Sequence, residues 1–132
     1  MAVLCQTGQH DKHDVYSALC PCRDVLNLVA NKWAALAVGI LEDGPLRFGT
    51  LQHHLQGVSP KVLTHTLRRL EGAGFVDRTV YPEVPLRVEY ALTDLGHSLA
   101  QPLAALRNWV EHHLHEITNT AESTCTAAPE RP

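Results

Sequence analysis

The chain has 132 residues, 45% of them hydrophobic and 19% charged, with a net charge of −3 and an isoelectric point near 6.3. That composition suits one folded domain with its own core and excludes a low-complexity or largely disordered chain. No apolar run is long enough to span a bilayer, and the N-terminus lacks the basic region plus apolar core of a leader, so the expected location is cytoplasmic and no membrane partner is expected. A nucleic-acid binder needs a basic face rather than a basic total. Between residues 45 and 81, Arg47, Lys61, Arg68, Arg69 and Arg78 stand against Glu71 and Asp77 inside an acidic chain. A solvated face of mixed charge gives a similar count, so alone this is a weak signal.

Taken in order, residues 1–18 are polar, contain His10 and His13 and show no clear period, which predicts a flexible arm or a frayed helix. Cys20-Pro21 opens a helix, because proline is favoured at the first helical position, and Val25, Leu28 and Val29 form its apolar side. Asn31 caps a second helix over 32–42 that buries Trp33, Leu36, Ala37, Ile40 and Leu41, and Asp43-Gly44-Pro45 stops it. Arg47-Phe48-Gly49-Thr50-Leu51 leads into a short third helix with Leu51 and Leu55 inward, ended by Gly57. Ser59 caps a fourth, with Pro60 in its first turn. Leu63, Leu67 and Leu70 recur at i, i+4 and i+7 and face the core, leaving Lys61, Thr64, His65 and Arg68 on the other side. Gly72-Ala73-Gly74 closes it.

Two β-branched, partly alternating segments follow, 75–81 and 86–92, with Pro82 and Pro85 bracketing a tip where proline disturbs no ladder. Thr93 caps the last helix and Asp94 complements its dipole. Leu95, Leu99, Leu103, Leu106, Val110, Leu114 and Ile117 mark a long apolar stripe, which Pro102 should kink or split. From Thr118 the chain is small and polar and ends in proline, which predicts a disordered tail. The expected organisation is therefore an arm over 1–18, one domain over 19–117 and a tail over 118–132. The expected class is mainly α with a small β-hairpin wing (α+β), a winged helix-turn-helix with terminal dimerisation helices. In such a fold a helix enters the DNA major groove while a ribbon grips the flanking backbone. The last helix is too long and apolar for one small domain. A second copy related by a two-fold axis would cover Leu99, Leu103, Leu106, Trp109, Val110 and Leu114. The alternative is that the stripe packs wholly on its own domain.

The segments Cys20-Pro21, Asn31-Lys32-Trp33, Gly44-Pro45-Leu46-Arg47-Phe48, Leu63-Thr64, Leu67-Arg68-Arg69-Leu70-Glu71, Tyr81-Pro82-Glu83-Val84-Pro85, Val88-Glu89-Tyr90 and Leu92-Thr93-Asp94-Leu95-Gly96 resemble the HxlR family over about residues 20–116. The Tyr-Pro-Glu-Val-Pro tip followed by Val-Glu-Tyr is specific as a combination. The resemblance implies a small bacterial winged-helix transcriptional regulator. It also implies a homodimer held by its terminal helices, acting as repressor or activator near its own or an adjacent gene. Several members of that family sense quinones, aldehydes, hypochlorite or other electrophiles through the cysteine matching Cys20, and Lys32 and Arg47 match family positions near the DNA backbone.

For the duplex itself, Lys61, Thr64, His65 and Arg68 are the expected groove face. Lysine and arginine bond guanine edges, and threonine offers a hydroxyl and a methyl to thymine. Arg69 is read as nearer the core boundary, reaching phosphate only. Ser59 and the first helical amides suit phosphate, and Arg87 in the wing suits the minor groove or a phosphate. The plain alternative is that these are ordinary exposed charges. The expected partner is double-stranded DNA with a pseudo-palindromic operator.

Four cysteines remain: Cys5, Cys20, Cys22 and Cys125. Cys20 stands at a helix start, where the dipole favours the reactive thiolate and Arg23 could help; a small buried packing residue is the bland reading. The resemblance breaks at Cys22, which makes Cys-Pro-Cys where an aliphatic residue usually follows. The pair could form a disulfide, resolve a sulfenate or bind metal, or Cys20 could pair with Cys125 or Cys22 of another subunit. Nine histidines include His53-His54 and His112-His113-Leu114-His115; His112 and His115 share a face, and with His10, His13 or the cysteines a zinc or copper site is conceivable, but solvated histidines are favoured and no metal or cofactor is expected. The leading expectation is a non-enzymatic, sequence-specific DNA-binding regulator, a repressor, with a small electrophile or oxidant as inducer. A regulator controlled by a ligand or metal near the dimer interface is the first rival. A thiol oxidoreductase using Cys20 and Cys22 is the second, against which stands the absence of a βαβ context and of Cys-x-x-Cys.

Overall fold

The computed structural model describes residues 14–127, with side chains through 117. In order the elements are α1 (Cys22–Val29), α2 (Lys32–Leu41), β1 (Leu46–Arg47), α3 (Phe48–His54), α4 (Pro60–Gly72), β2 (Val76–Tyr81), β3 (Arg87–Leu92) and α5 (Asp94–Ala127). Helices followed by a short antiparallel ribbon make a winged helix-turn-helix, as the periodicities indicate. The sheet has three strands rather than the two of a hairpin, in the order β1-β3-β2. β1 is only two residues long, pairing Leu46 with Tyr90 and Arg47 with Glu89. So short a strand has no alternation of its own, and its ladder comes from a distant part of the chain. The chain divides into two compact units, Met1–Ala100 and Gln101–Pro132.

The core of the first unit is built from helix faces. Leu41, Leu51, Leu63, Leu67 and Leu70 are all fully buried, joined by Leu55, Phe75 and Val76. On α2 the buried residues are Ala34, Ala37, Val38 and Leu41, while Trp33, Leu36 and Ile40 are only half-buried. α2 is apolar over most of its surface, so the pattern does not single out one face. The small Ala34 and Ala37 mark the buried side of the helix, which packs against α4.

Helix ends are set by side chains. Asn31 Oδ1 accepts from the amides of Trp33 (3.0 Å) and Ala34 (3.2 Å), capping α2 as expected, and α1 meets α2 just before it at a bend of 72°. α1 begins at Cys22, with Pro21 as its cap residue rather than its first residue. Before it, residues 14–20 form successive turns: Ser17 N–H donates to Asp14 O (3.0 Å) and Cys20 N–H to Ser17 O (3.2 Å). Arg23 donates to Tyr16 O at 2.8 Å and ties these turns to α1. The arm expected over 1–18 is thus structured from residue 14, and residues 1–13 lie outside the described part. At the other end of α4, Gly74 adopts φ +88°, Gly74 N–H donates to Glu71 O and Phe75 N–H to Leu70 O, both at 3.0 Å. This is a Schellman closure, and it needs the glycine.

α5 is anchored at its first turn. Thr93 Oγ1 donates to Gly74 O (2.6 Å) and accepts from Gly96 N–H (3.0 Å), while Thr93 N–H donates to Phe75 O (3.0 Å). The helix then runs through Pro102, expected to kink or split it, and its backbone continues to Ala127, past the point where a disordered tail was expected. Residues 128–132 lie outside the described part. Among the described residues no single helix is long and apolar enough to cross a membrane.

Gly96 is buried, and a Cβ there would run into the carbonyl oxygen of Phe75, which cannot swing aside as a side chain would. Gly96→Ala is expected to destabilise the protein by about 1–3 kcal/mol, as overpacking does. Urea unfolding checks it, with a lowered midpoint and an unchanged slope.

Candidate nucleic-acid interface

α4 is positioned by three constraints. Ser59 Oγ accepts from Val62 N–H at 3.1 Å, and Pro60 occupies the first turn. Leu63, Leu67 and Leu70 lock one face inward. Thr66, also on that side, is buried at 6% exposure, which the leucine spacing did not reveal. The opposite face is a shallow groove of about 470 Å³ lined by Pro60, Lys61, Thr64, His65 and Arg68. The four side chains singled out for the major groove are therefore brought together, and no carboxylate lines the groove. Thr64 is half-buried at its floor, and Lys61, His65 and Arg68 are exposed. Arg69, read as near the core boundary, is exposed and does not line the groove. Ser59 uses its oxygen as a cap acceptor, which leaves its hydroxyl hydrogen available to an anion.

Lys32 and Arg47 are both exposed. Lys32 Nζ lies 4.4 Å from the centre of the Trp33 ring, a cation–π contact that steadies a surface lysine. Arg47 sits in β1 immediately before α3.

Arg87, assigned to DNA, is committed within its own hairpin. Its guanidinium lies 4.0 Å from the centre of the Tyr81 ring, 3.1 Å from Glu83 Oε2 and 3.7 Å from Glu89 Oε2. Register explains this, since Tyr81 pairs with Arg87, and Thr79 with Glu89, on one face of the ribbon. Arg78 was counted among the basic residues but given no role. It is exposed on β2, and among the described residues no ion pair engages it. Its signal in the sequence was strand alternation, which puts it on the opposite face from Tyr81 and Arg87.

At the start of α1, Cys20 is 5% exposed and Cys22 half-buried, with their sulfurs 2.7 Å apart. The hydrogen bond with Cys20 raises the Cys22 thiol above its ordinary range, and its own desolvation and the charge of Cys20 add to this. Arg23, expected to favour a thiolate, spends its hydrogen bonds on the Tyr16 and Val15 carbonyls. The side chains of Cys5 and Cys125 lie outside the described residues.

In the second unit, Leu106, Trp109, Val110 and Leu114 are exposed, Trp109 by 53%. Leu103 is buried within the single chain, and Leu99, in the first unit, is half-buried. His112 Nδ1 donates to Asn108 O (2.9 Å) and His113 Nδ1 to Trp109 O (2.8 Å), with the His113 ring stacked on Trp109 at 4.5 Å. Among the described residues no three histidine, cysteine or acidic side chains converge as metal ligands.

The comparisons agree with this geometry. The family model described as HxlR-like helix-turn-helix matches residues 28–118. The HTH-type transcriptional regulator YtfH of Escherichia coli (strain K12) is 38% identical over 117 residues, covering 89% of this chain and 93% of that protein. The structure of the transcriptional regulator ytfH from Salmonella typhimurium is similar with a TM-score of 0.80 and 39% identity, covering 84% of this chain and 99% of that one. The redox regulator HypR in its oxidized form is similar with a TM-score of 0.65 and 33% identity, covering 70% of this chain and 96% of that one. A core of leucine-faced helices, a capped α4 with a basic groove, and these matches along most of the chain have one reading: the chain belongs to the HxlR-like helix-turn-helix family of transcriptional regulators.

Proposed function

We propose that the chain acts as a cytoplasmic homodimer that binds a pseudo-palindromic operator and represses the gene beside it, releasing DNA when a small oxidant or electrophile modifies the thiol pair that contains Cys20. The observation that carries the DNA reading is the α4 groove, where Lys61, Thr64, His65 and Arg68 line one surface with no acid among them. A helix face of this kind fits the major groove, with lysine and arginine on base edges. Ser59, Lys32, Arg47 and Arg69 supply contacts to phosphate, which carry affinity rather than sequence. In the wing Arg78 takes the phosphate role, and Arg87 holds the ribbon in shape. The exposed Leu106, Trp109, Val110 and Leu114 support pairing with a second copy, which would space two α4 helices about one DNA turn apart. For the input, the similarity to HypR, itself a redox regulator, and the thiol pair at the start of α1 favour an oxidant over a metal.

Fluorescence anisotropy on DNA flanking the chain's own gene tests the whole reading. Binding should be tight and salt-sensitive when reduced, lost under diamide and restored by dithiothreitol; salt-insensitive binding would remove the electrostatic face from the account. Arg68→Ala should cost about 1–3 kcal/mol and relax preference at one base step per half-site. Arg78→Ala should lower the salt slope by about one per subunit, as loss of one phosphate contact does. Arg87→Ala should change that slope less, because its charge is already balanced within the wing. Leu106→Asp with Trp109→Asp should yield monomers by sedimentation equilibrium and weaken operator binding, since each half-site is then held alone.

A further inference from the structure

The Cys-Pro-Cys pair stands apart from the rest of the site. Its sulfurs lie 2.7 Å apart within one chain, and the segment between them is held before any reagent arrives. Pro21 has a ring-restricted φ of −59°. Cys20 N–H is bonded to Ser17 O, and Cys20 O accepts from Arg23 N–H at 3.1 Å. Cys20 is almost closed to solvent, whereas Cys22 is half-exposed. One sulfur can therefore be reached from solution, and the other waits behind it.

We propose that Cys20 and Cys22 form a self-resolving dithiol, a modification site for low-molecular-weight disulfides whose oxidised product is an intrachain disulfide rather than a bond between two subunits. Cys22 loses its proton, attacks one sulfur of the reagent RSSR and expels RS⁻, leaving a mixed disulfide at Cys22. Cys20 then gives up its proton, attacks the Cys22 sulfur and expels the second RS⁻. The two protein protons end on the two RS⁻, so two thiols and one RSSR become one protein disulfide and two RSH. The partner is already in place, which favours the second step over capture of a thiol from elsewhere. The elevated Cys22 pKa slows the first step at neutral pH and makes it faster as pH rises, because the thiolate is the attacking form.

The consequence at DNA rests on the regulator reading above. The chemistry is read by mass alone, so the two can fail separately. The full chain is treated with glutathione disulfide, blocked with iodoacetamide and digested with trypsin. Cleavage after Lys12 and Arg23 leaves both cysteines on the peptide 13–23. The expected peptide is two hydrogens lighter and carries no blocking group, and dithiothreitol before blocking restores two such groups. Cys22→Ser should instead show no lighter peptide, with Cys20 unmodified or carrying glutathione, and Cys20→Ser should retain glutathione at Cys22. A wild-type peptide joined to a second peptide, stably carrying glutathione, or fully blocked would overturn the proposal. If the intrachain disulfide forms and operator binding is unchanged in anisotropy, the modification site stands and its link to DNA falls. If neither form binds DNA, the regulator reading fails on its own.

Discussion

Everything the first unit presents to a partner depends on how α4 is gripped. Leu63, Leu67 and Leu70 are each removed from water almost completely, a burial of about 1.5–3 kcal/mol per side chain. That energy fixes rotation about the helix axis, because any turn of α4 would bring the leucines out and Lys61, Thr64, His65 and Arg68 in. Translation along the axis is fixed at the two ends, by the Ser59 cap and by the closure through Gly74. A groove of basic side chains is therefore the far side of a hydrophobic constraint, and its composition is legible wherever the leucine period is.

The same closure carries the next elements. Gly74 hands the chain to β2 while its carbonyl accepts from Thr93 Oγ1, and Phe75 O accepts from Thr93 N–H. The ends of α4, β2, β3 and α5 thus meet around one small cluster of backbone atoms. Gly96 has no side chain because Phe75 O fills that place. The wing hangs from this cluster, and its shape is held from within: Arg87 lies over the Tyr81 ring and within ion-pair distance of Glu83 and Glu89. Arg87 is partly exposed and ion-paired, whereas among the described residues no ion pair engages Arg78.

The start of α1 is built on different chemistry. Successive turns, an arginine bonded to backbone carbonyls and a proline between two cysteines hold two thiols against each other. Contact between the thiols raises the proton affinity of Cys22, so closeness of a partner and ease of ionisation pull in opposite directions. In the second unit, the exposed face of Leu106, Trp109, Val110 and Leu114 is a large apolar patch, the kind of surface that marks an interaction site.

Much of this was readable in the residues themselves. The caps Asn31, Ser59 and Thr93, the leucine period of α4 and the proline-bracketed tip are local signals, because a cap or a helical face is decided within a few residues. They were enough for the winged helix-turn-helix and for the four side chains that share the groove. What local pattern could not decide was set by neighbours distant in sequence. β1 exists only because Tyr90 and Glu89 lie alongside it. On α2, Ala34 and Val38 are buried ahead of Trp33 and Ile40 because packing selects a face on a helix that is apolar nearly all round. Arg87 is engaged within the wing because strand register sets Tyr81 opposite it and strand alternation puts Glu89 on the same face. Residue type and spacing determine which chemistry a segment can carry, and tertiary packing decides which of those groups remain free to use it, since a charge or an apolar face is spent on whatever the fold brings within reach.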